Sequence, residues 1–267
     1  MHGARVIDFL LILYYKKFTN MKQINSLKKG IDILFSFSSY QPTQSVNEIA
    51  EKVGIPRSST YRFVVSLKNM GLLERDSNGN YSLGLRLLKL EAIVHKRLKI
   101  EEIAIPYVKK LANETDETVI LNLLLFNRDV VTIFAEESSA ALRVAPQRGI
   151  NYPLHVGASR QVILAFLSPE IQEEFLSQPL KKVTDYTITD PDELRERIKT
   201  IRENGYAISH QEVYIGAAGL AVPLFSNDKI IGSIGLVAPL QRFEKEREEY
   251  ALRKALETAK QISQILP

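Results

Sequence analysis

A short run of basic and hydroxyl side chains follows Pro56, at a place where the chain is set to begin a helix. Two arginines can each donate paired hydrogen bonds to a base edge or a phosphate, and hydroxyl groups can make shorter contacts beside them. All fall in the first two turns, the part of a recognition helix that approaches the bases. The run consists of Arg57, Ser58, Ser59, Tyr61 and Arg62. We therefore predict that it reads DNA, the alternative being a solvated polar surface on a small helical domain.

Two further places are suited to contact the phosphates of the same duplex. Arg75 precedes the turn at residues 76–80, where Asn78-Gly79 is a strong signal for a β-hairpin. Ser45 stands at the start of a helix, and the free N–H groups of a helix N-terminus attract anions. We add Ser45 and Arg75 to the predicted DNA-binding residues.

The helices that must position these groups are visible as apolar residues at helical spacing. The first spans residues 26–38, with an expected buried face of Leu27, Ile31, Leu34 and Phe35. Ser45 and Glu48 have the spacing of a capping box for the second helix, and Gly54 suits its left-handed end. The third helix carries the basic run over a buried stripe expected at Thr60, Phe63, Val64, Leu67 and Met70. With the hairpin that follows, this order predicts a winged helix-turn-helix.

The distribution of charge agrees with a nucleic-acid partner for this region. Residues 21–99 contain 13 Lys and Arg against 6 Asp and Glu, whereas residues 100–267 contain 19 against 24. A basic module joined to an acidic one suggests that the first meets a polyanion, double-stranded operator DNA on this interpretation.

The chain contains no cysteine, which excludes disulfides, thiolate metal sites and thiol catalysis and suits a reducing cytoplasm.

The length of 267 residues favours two domains, and the pattern changes near residue 100. We assign residues 24–84 to the winged helix-turn-helix, 85–98 to a linker helix and 99–267 to an α+β domain. Two apolar stripes on the linker suggest that it packs in a dimer and transmits a signal between the domains. Residues 1–23 are assigned to an N-terminal extension, either non-essential or a short helix that packs on a partner subunit.

Hairpins mixed with segregated helices predict that the C-terminal domain is an antiparallel sheet covered by helices. Strands are expected at residues 119–126, 130–137, 206–212, 220–225 and 230–237. Helices are expected at residues 103–115, 158–167, 170–176, 192–204 and 244–266.

Three motifs in this order resemble the IclR family of bacterial transcriptional regulators. They are "SVNEIAEKVGIPRSSTYRFVVSLKNMGLLERDSNGNYSLGLRLLKL", "PLHVGASRQVILAFL" and "GYAISHQEVYIGAAGLAVPLF". The resemblance runs from about Ser26 to the C-terminus. It implies a GAF-like effector domain, a homodimer or a dimer of dimers, and a small carboxylate or aromatic metabolite as ligand. It also implies a pocket lined by Val144, Tyr152, Ala158, Ser159, Ser209, Ala217, Gly219, Gly235 and Val237.

The residues themselves suit a small-molecule pocket. Ala158 and Ser159 open a helix whose free N–H groups could receive a carboxylate, and Ala217-Ala218-Gly219 leaves space. Ser209, His210 and Ser233 could add hydrogen bonds to a bound ligand and are further candidates for the pocket. Alternatively, the small residues only permit close packing of a helix on the sheet.

Arg160 departs from the family pattern, which usually has a small residue at this position. The pattern also often has Cys at Gly219 and an acidic residue at Ser209. Arg160 could point inward and pair with an anionic effector, point to solvent, or block the pocket. We include it among the candidate effector-binding residues.

Two rival functions remain open at the level of sequence. His155 near Ser159 could act as base and nucleophile, but no orienting acid, metal-ligand spacing, P-loop or dinucleotide motif accompanies them. We therefore expect no enzyme activity, no cofactor and no metal. The second rival is a DNA-binding regulator with a degenerate, ligand-free C-terminal domain.

No stretch is long and apolar enough to predict a membrane span, so we expect a cytoplasmic protein.

Overall fold

The computed structural model describes residues 24–38, 40–97, 99–125, 128–146 and 152–266. The predicted N-terminal extension, residues 1–23, lies outside the described residues. The chain divides into two compact units, Met1–Ala92 and Ile93–Pro267. Each unit is described by itself.

The N-terminal unit is a winged helix-turn-helix, as the sequence predicted. Helix α1 (Asn25–Phe35) is followed by strand β1 (Thr43–Gln44), α2 (Val46–Val53), α3 (Arg57–Asn69) and the hairpin β2 (Leu73–Arg75) and β3 (Tyr81–Leu83). The three strands form a small antiparallel sheet in the order β1-β3-β2. Helix α4 (Arg86–Arg97) begins directly after this sheet. Strand β1 was not predicted, because an alternation of apolar and polar residues cannot be recognised over only two residues.

The predicted signals at the ends of α2 are confirmed. The Ser45 hydroxyl accepts a hydrogen bond from Glu48 N at 3.3 Å, and Ser45 N donates to Glu48 Oε2 at 2.7 Å. Gly54 ends the helix in the left-handed conformation, with φ of 63°. The capping box and the glycine therefore fix the two ends of α2, and the glycine begins the short turn that connects it to α3.

The predicted buried face of α1 is wrong at three of its four residues, whereas Leu34 packs against the core as expected. Leu27, Ile31 and Phe35 are exposed, and Ile33 and Phe37 enter the core instead. The segment carries two apolar stripes, and only one of them can face α2 and α3. Met70 is also exposed, because it lies beyond the last turn of α3.

The C-terminal unit is an antiparallel sheet covered by helices, in agreement with the predicted α+β class. In chain order it contains α5 (Lys99–Thr115), β4 (Thr118–Leu124), β5 (Val130–Glu136), α6 (Ala158–Phe166), α7 (Pro169–Leu176), α8 (Pro191–Asn204), β6 (Ala207–His210), β7 (Ala217–Ser226), β8 (Lys229–Pro239), a 3₁₀ turn (Leu240–Arg242) and α9 (Lys245–Ile265). Within the described residues the strand order is β5-β4-β8-β7-β6.

Alternation along the strands divides the core into two layers. On one face, Leu220, Val222 and Leu236 pack with side chains of α5 and α9. On the other, Ala221 and Ala207 pack with α6 and α8. The smaller side chains on this second face allow α6 to lie close to the sheet.

The strand predicted over residues 206–212 is shorter in the structure. It ends at His210, because Gln211 adopts a left-handed φ of 58° and starts a turn that closes at Gly216. This turn, residues 211–216, carries Glu212 and Tyr214 towards the N-terminus of α6.

We expect Ser45→Ala to lower the free energy of local opening of α2 by about 1 kcal/mol, because Glu48 N, in the first turn of the helix, loses the Ser45 hydroxyl as its acceptor. Hydrogen exchange of the α2 amides in the full chain measures this opening. Ser66→Ala, on the exposed surface of α3, is the matched control. Equal exchange in the two variants would contradict the role of the cap.

Candidate nucleic-acid interface and effector site

The buried side of α3 fixes which of its side chains face outward. Thr60, Val64 and Leu67 are buried, and the Thr60 hydroxyl donates to the Ile55 and Pro56 carbonyls at 3.2 Å. The opposite side presents the predicted reading edge: Arg57, Ser58, Tyr61 and Arg62 are exposed and Ser59 is half-buried. The helix thus displays two guanidinium groups and several hydroxyl groups together on one free surface.

Arg75 is held across the tip of the wing. Its Nε donates to Gly79 O at 3.2 Å, and its guanidinium carbon lies 5.6 Å from the centre of the Tyr81 ring. Asp76 Oδ1 closes the turn by accepting from Asn78 N at 2.9 Å and from Asn80 N at 2.8 Å. Arg75 therefore has a structural contact in the wing, while its side chain remains exposed and basic.

In the C-terminal unit, the predicted pocket residues gather where α6 begins. A Cβ atom at Gly235 would lie 2.2 Å from Ser159 Oγ, and one at Gly219 would lie 3.1 Å from Ser209 Oγ. Gly219 pairs with both Ser209 and Val237 across the sheet. Gly235 therefore allows α6 to approach the sheet closely, and Gly219 leaves room for the Ser209 hydroxyl of the neighbouring strand.

The expected free N–H groups at the start of α6 are partly occupied. Ala158 N donates to Ser209 Oγ at 3.0 Å, and Gly157 N donates to Glu212 Oε2 at 3.0 Å. The interpretation of Ala158 as an open carboxylate cradle is therefore wrong. The physical reason is that Ser209 of β6 and Glu212 of the turn that follows supply the protein's own acceptors to the helix N-terminus.

Glu212 is a buried carboxyl group in this arrangement. Besides Gly157 N it accepts from Gln161 Nε2 at 2.6 Å, and Gln161 Nε2 also donates to His155 O at 2.9 Å. Burial raises the pKa of Glu212 to about 7, opposed by the hydrogen bond from Gly157 and the charge of Arg197. The carboxyl group thus titrates close to neutral pH in the folded chain.

Arg160 points into the protein, which excludes the solvent-exposed alternative. Its residue exposure is 7%, and its guanidinium carbon lies 5.2 Å from the centre of the Tyr152 ring. Tyr152 in turn meets the ring of Tyr214 edge-on at 6.4 Å between centroids. Burial lowers the pKa of Arg160, while the two neighbouring tyrosines oppose that effect. An arginine nevertheless stays protonated at neutral pH.

This buried cation lacks a carboxylate counter-ion in the part of the chain that the structure describes. Arg160 Nε is buried without a hydrogen-bond partner, and the titratable groups that influence its charge are Tyr152 and Tyr214. A buried charge is normally paired, because leaving it alone in a low-dielectric interior is costly.

The remaining predicted residues have different positions. Val144 is half-buried in the segment that follows β5, Ala217 is buried, and Val237 is half-buried. Ser233 is buried and donates to Ser159 O at 2.9 Å. His210 is exposed and lies on the face opposite Ser209, near Phe243, so its expected place in the pocket is wrong.

His155 is not arranged as a base for Ser159. Its Nε2 lies 3.0 Å from Lys181 O, and its ring is 5.8 Å from that of Phe175. Burial lowers the pKa of His155. Ser159 Oγ faces Gly235 instead, so the geometry gives no support to the hydrolytic alternative.

Sequence reasoning missed Glu212, Gln161 and Tyr214. Glu212 and Tyr214 lie within the third motif quoted above, but their inward direction depends on the turn after His210, which hydrophobic alternation did not reveal. The left-handed φ of 58° at non-glycine Gln211 leaves no clear mark in the sequence.

A winged helix-turn-helix with a basic recognition helix, joined to an antiparallel α+β domain, defines a class of DNA-binding regulators. The family model described as "Bacterial transcriptional regulator IclR C-terminal" matches residues 92–264, and the "IclR helix-turn-helix domain" matches residues 26–77. The chain therefore belongs to the IclR family of transcriptional regulators.

Individual relatives are similar over nearly the whole chain. The HTH-type transcriptional regulator KipR of Bacillus subtilis is 32% identical over 232 residues, which cover 86% of this chain and 92% of KipR. An IclR transcriptional regulator from Alicyclobacillus acidocaldarius has a TM-score of 0.79 at 25% identity, covering 91% and 99% of the two chains. An IclR homolog from Microbacterium hydrocarbonoxydans, solved in complex with 4-hydroxybenzoate, has a TM-score of 0.73 at 27% identity, covering 90% and 98%.

We expect the stability of the chain to depend on the Glu212 carboxyl between pH 4.5 and about 7. Its pKa is about 7 when folded, against 4.5 for the ordinary group. In this window the folded chain holds more protons than the unfolded chain, so the free energy of unfolding falls as the pH rises. The loss amounts to at most about 3 kcal/mol.

Urea unfolding of the wild type and Glu212→Gln from pH 4.5 to 8 measures this contribution. The wild type should lose stability relative to the variant across the window. Glu196→Gln, on the exposed side of α8, controls for a general effect of charge. A difference between wild type and Glu212→Gln that does not change with pH would show that the carboxyl group is not perturbed.

Proposed function

We propose that this regulator acts as a homodimer that reads operator DNA with α3 and changes its DNA affinity when a small carboxylate binds in the C-terminal unit. The buried guanidinium of Arg160, which has no carboxylate counter-ion among the described residues, carries the effector half of this proposal. The exposed reading edge of α3 carries the DNA half.

Arg57 and Arg62 are suited to the major groove because they project from the first two turns of α3. Ser58, Ser59 and Tyr61 stand beside them for hydroxyl contacts, and Ser45 and Arg75 are placed for the flanking phosphates. In a symmetric dimer two such helices reach successive major grooves of a near-palindromic site.

Dimer formation is supported by the apolar surface of α4. Leu88, Leu90, Ile93 and Val94 are each more than half exposed, and so is Leu85, the residue just before the helix. Apolar side chains this dense on one helix are typical of a surface that packs on another chain. We therefore retain the proposal that the linker helix contributes to a homodimer, with a dimer of dimers as the further possibility.

The chemistry around Arg160 favours a carboxylate with an aromatic or flat apolar body. A carboxylate would supply the missing counter-ion, and the Tyr152 and Tyr214 rings offer surfaces for stacking. The 4-hydroxybenzoate complex of the Microbacterium relative makes aromatic acids sensible first probes. Ala158, Ser159, Ser209, Ala217, Gly219, Gly235, Val237 and Val144 remain the proposed surrounding wall.

We propose no enzyme activity, because His155 and Ser159 are not aligned for catalysis. None of the helices that the structure describes is long and apolar enough to cross a membrane. A regulator that acts on operator DNA would work in the cytoplasm, where bacterial DNA lies.

We expect Arg57→Ala and Arg62→Ala each to weaken binding to an operator selected in vitro with the wild-type chain. An arginine that contacts a base should cost about 1–3 kcal/mol and relax discrimination at one position. One that contacts phosphate should instead reduce the slope of log affinity against log salt by about 0.9.

Fluorescence anisotropy at several salt concentrations, on the selected operator and on single-base variants, separates these outcomes. Lys110→Ala removes one exposed charge from α5 and is the control. If both arginine variants match this control in affinity and salt slope, α3 is not the reading helix.

We expect Arg160→Met to weaken carboxylate binding by about 10- to 100-fold, because a charge-assisted hydrogen bond is lost while the apolar volume is kept. Calorimetry of wild type and variant would use 4-hydroxybenzoate, benzoate and short aliphatic acids, each beside its methyl ester. The esters should bind both proteins equally weakly. Arg202→Met removes an exposed arginine from α8 of the same unit and is the control.

The other outcomes decide between the alternatives. Tighter binding by Arg160→Met would mean that the arginine blocks the pocket. A wild type whose thermal stability no acid or ester raises would favour a ligand-free domain, because a ligand of the native state must stabilise it.

A further inference from the structure

The first residues of α4 are bound to the end of α3 within the N-terminal unit. Arg86 NH1 donates to Met70 O at 2.7 Å, and Met70 is the residue that ends α3. The Arg86 side chain also covers Gly71, because a Cβ atom built there would lie 3.5 Å from Arg86 Cδ. The cation thus sits at the negative end of the recognition helix, where a helix dipole favours it.

Two more contacts join the same regions from the wing side. Leu85 N donates to Glu74 Oε1 at 3.0 Å, so a side chain of β2 caps the start of α4. Gly84 N donates to Leu72 O at 2.9 Å. A Cβ atom at Gly84 would lie 2.3 Å from Gly71 O, which means that only glycine permits this approach of the two backbones.

From these contacts we infer that α3, the wing and the first turns of α4 form one rigid joint, in which Arg86 and Glu74 are positioning residues. The boundary between the two units supports this, because it falls after Ala92 and leaves the first turns of α4 with the DNA-binding unit. A change in the direction of α4 therefore rotates α3 with it rather than bending a flexible connection.

The inference rests on the proposed homodimer and adds how the orientation of each reading helix is set. If α4 is fixed in the dimer, a rigid joint holds the two α3 helices at one separation and one rotation. Such a dimer should be strict about the spacing between half-sites, since inserting two base pairs rotates one half-site by about 70°. A loose joint would tolerate the insertion.

The test compares three duplexes in fluorescence anisotropy with the full chain. One is the operator selected in vitro with the wild type, one carries two extra base pairs at its centre, and one contains a single half-site. The wild type should lose affinity for the inserted duplex by on the order of tenfold or more. Arg86→Met and Glu74→Ala should lose only about threefold, with half-site affinity unchanged.

Two variants serve as controls. Lys89→Met removes a positive charge from α4, as Arg86→Met does, but Lys89 lies three residues further along the helix and makes no hydrogen bond or ion pair within the described residues. It should keep the wild-type penalty for insertion. Glu74→Gln keeps an oxygen that can accept from Leu85 N and should also restore the penalty, which general destabilisation of the wing would not allow.

Two results would overturn the joint. One is a penalty for insertion that stays at the wild-type value in both Arg86→Met and Glu74→Ala. The other is a wild type that tolerates the insertion while it still binds the half-site, which would leave DNA binding by α3 intact. If Arg86→Met also weakens binding to the half-site, the loss of affinity on insertion in Glu74→Ala tests the joint instead, because this variant leaves the Arg86 side chain unchanged.

Discussion

The close contact between the start of α6 and the sheet determines what the C-terminal unit can bind. Ser159 Oγ occupies the space in which a side chain at Gly235 would lie, whereas a Cβ atom at Gly219 would lie 3.1 Å from Ser209 Oγ and 3.8 Å from Ala158 Cβ. A larger residue at Gly235 would push the helix off the strands. The small residues therefore serve close packing first, and the volume left for a ligand must lie beside this contact rather than within it.

This packing has an electrostatic consequence. Because Ser209 and Glu212 satisfy the first N–H groups of α6, the helix N-terminus already holds a carboxyl group of the protein itself. A second carboxylate placed there would lie beside the buried Glu212 carboxyl group, which becomes negatively charged as it loses its proton at a pKa of about 7. Arg160, two residues further along the same helix, offers the opposite situation: a buried positive charge flanked by aromatic rings. The anionic effector proposed above is therefore expected on the Arg160 side of α6.

Much of the fold was predictable because its signals are local. The capping box at Ser45, the left-handed Gly54 and the Asn78-Gly79 hairpin each involve residues a few positions apart, and the structure confirms all three. The buried face of α1 was mispredicted for the converse reason. Ile33 and Phe37 lie off the stripe that helical spacing selects, and only the packing of the folded unit shows that they are buried.

The candidate sites also include features that local sequence determines and features that only the fold determines. The reading edge of α3 could be predicted, since a helix with one buried stripe must expose the residues opposite it. The direction of Arg160 could not, because it depends on Tyr152 and Tyr214, which lie in two segments that come together only in the fold. Glu212 was missed because a left-handed Gln211 redirects the chain just before it.

Helix α4 begins within the N-terminal unit, where its first turn is held by α3 and the wing. The backbones of Gly84 and Gly71 approach so closely that there is no space for a side chain at the point where α4 meets the wing. In the joint inferred above, the part of α4 that belongs to the N-terminal unit therefore turns together with α3. Since α4 also carries the exposed apolar residues proposed for the dimer, a change in how two α4 helices pack would reorient both α3 helices without altering either DNA-binding unit internally.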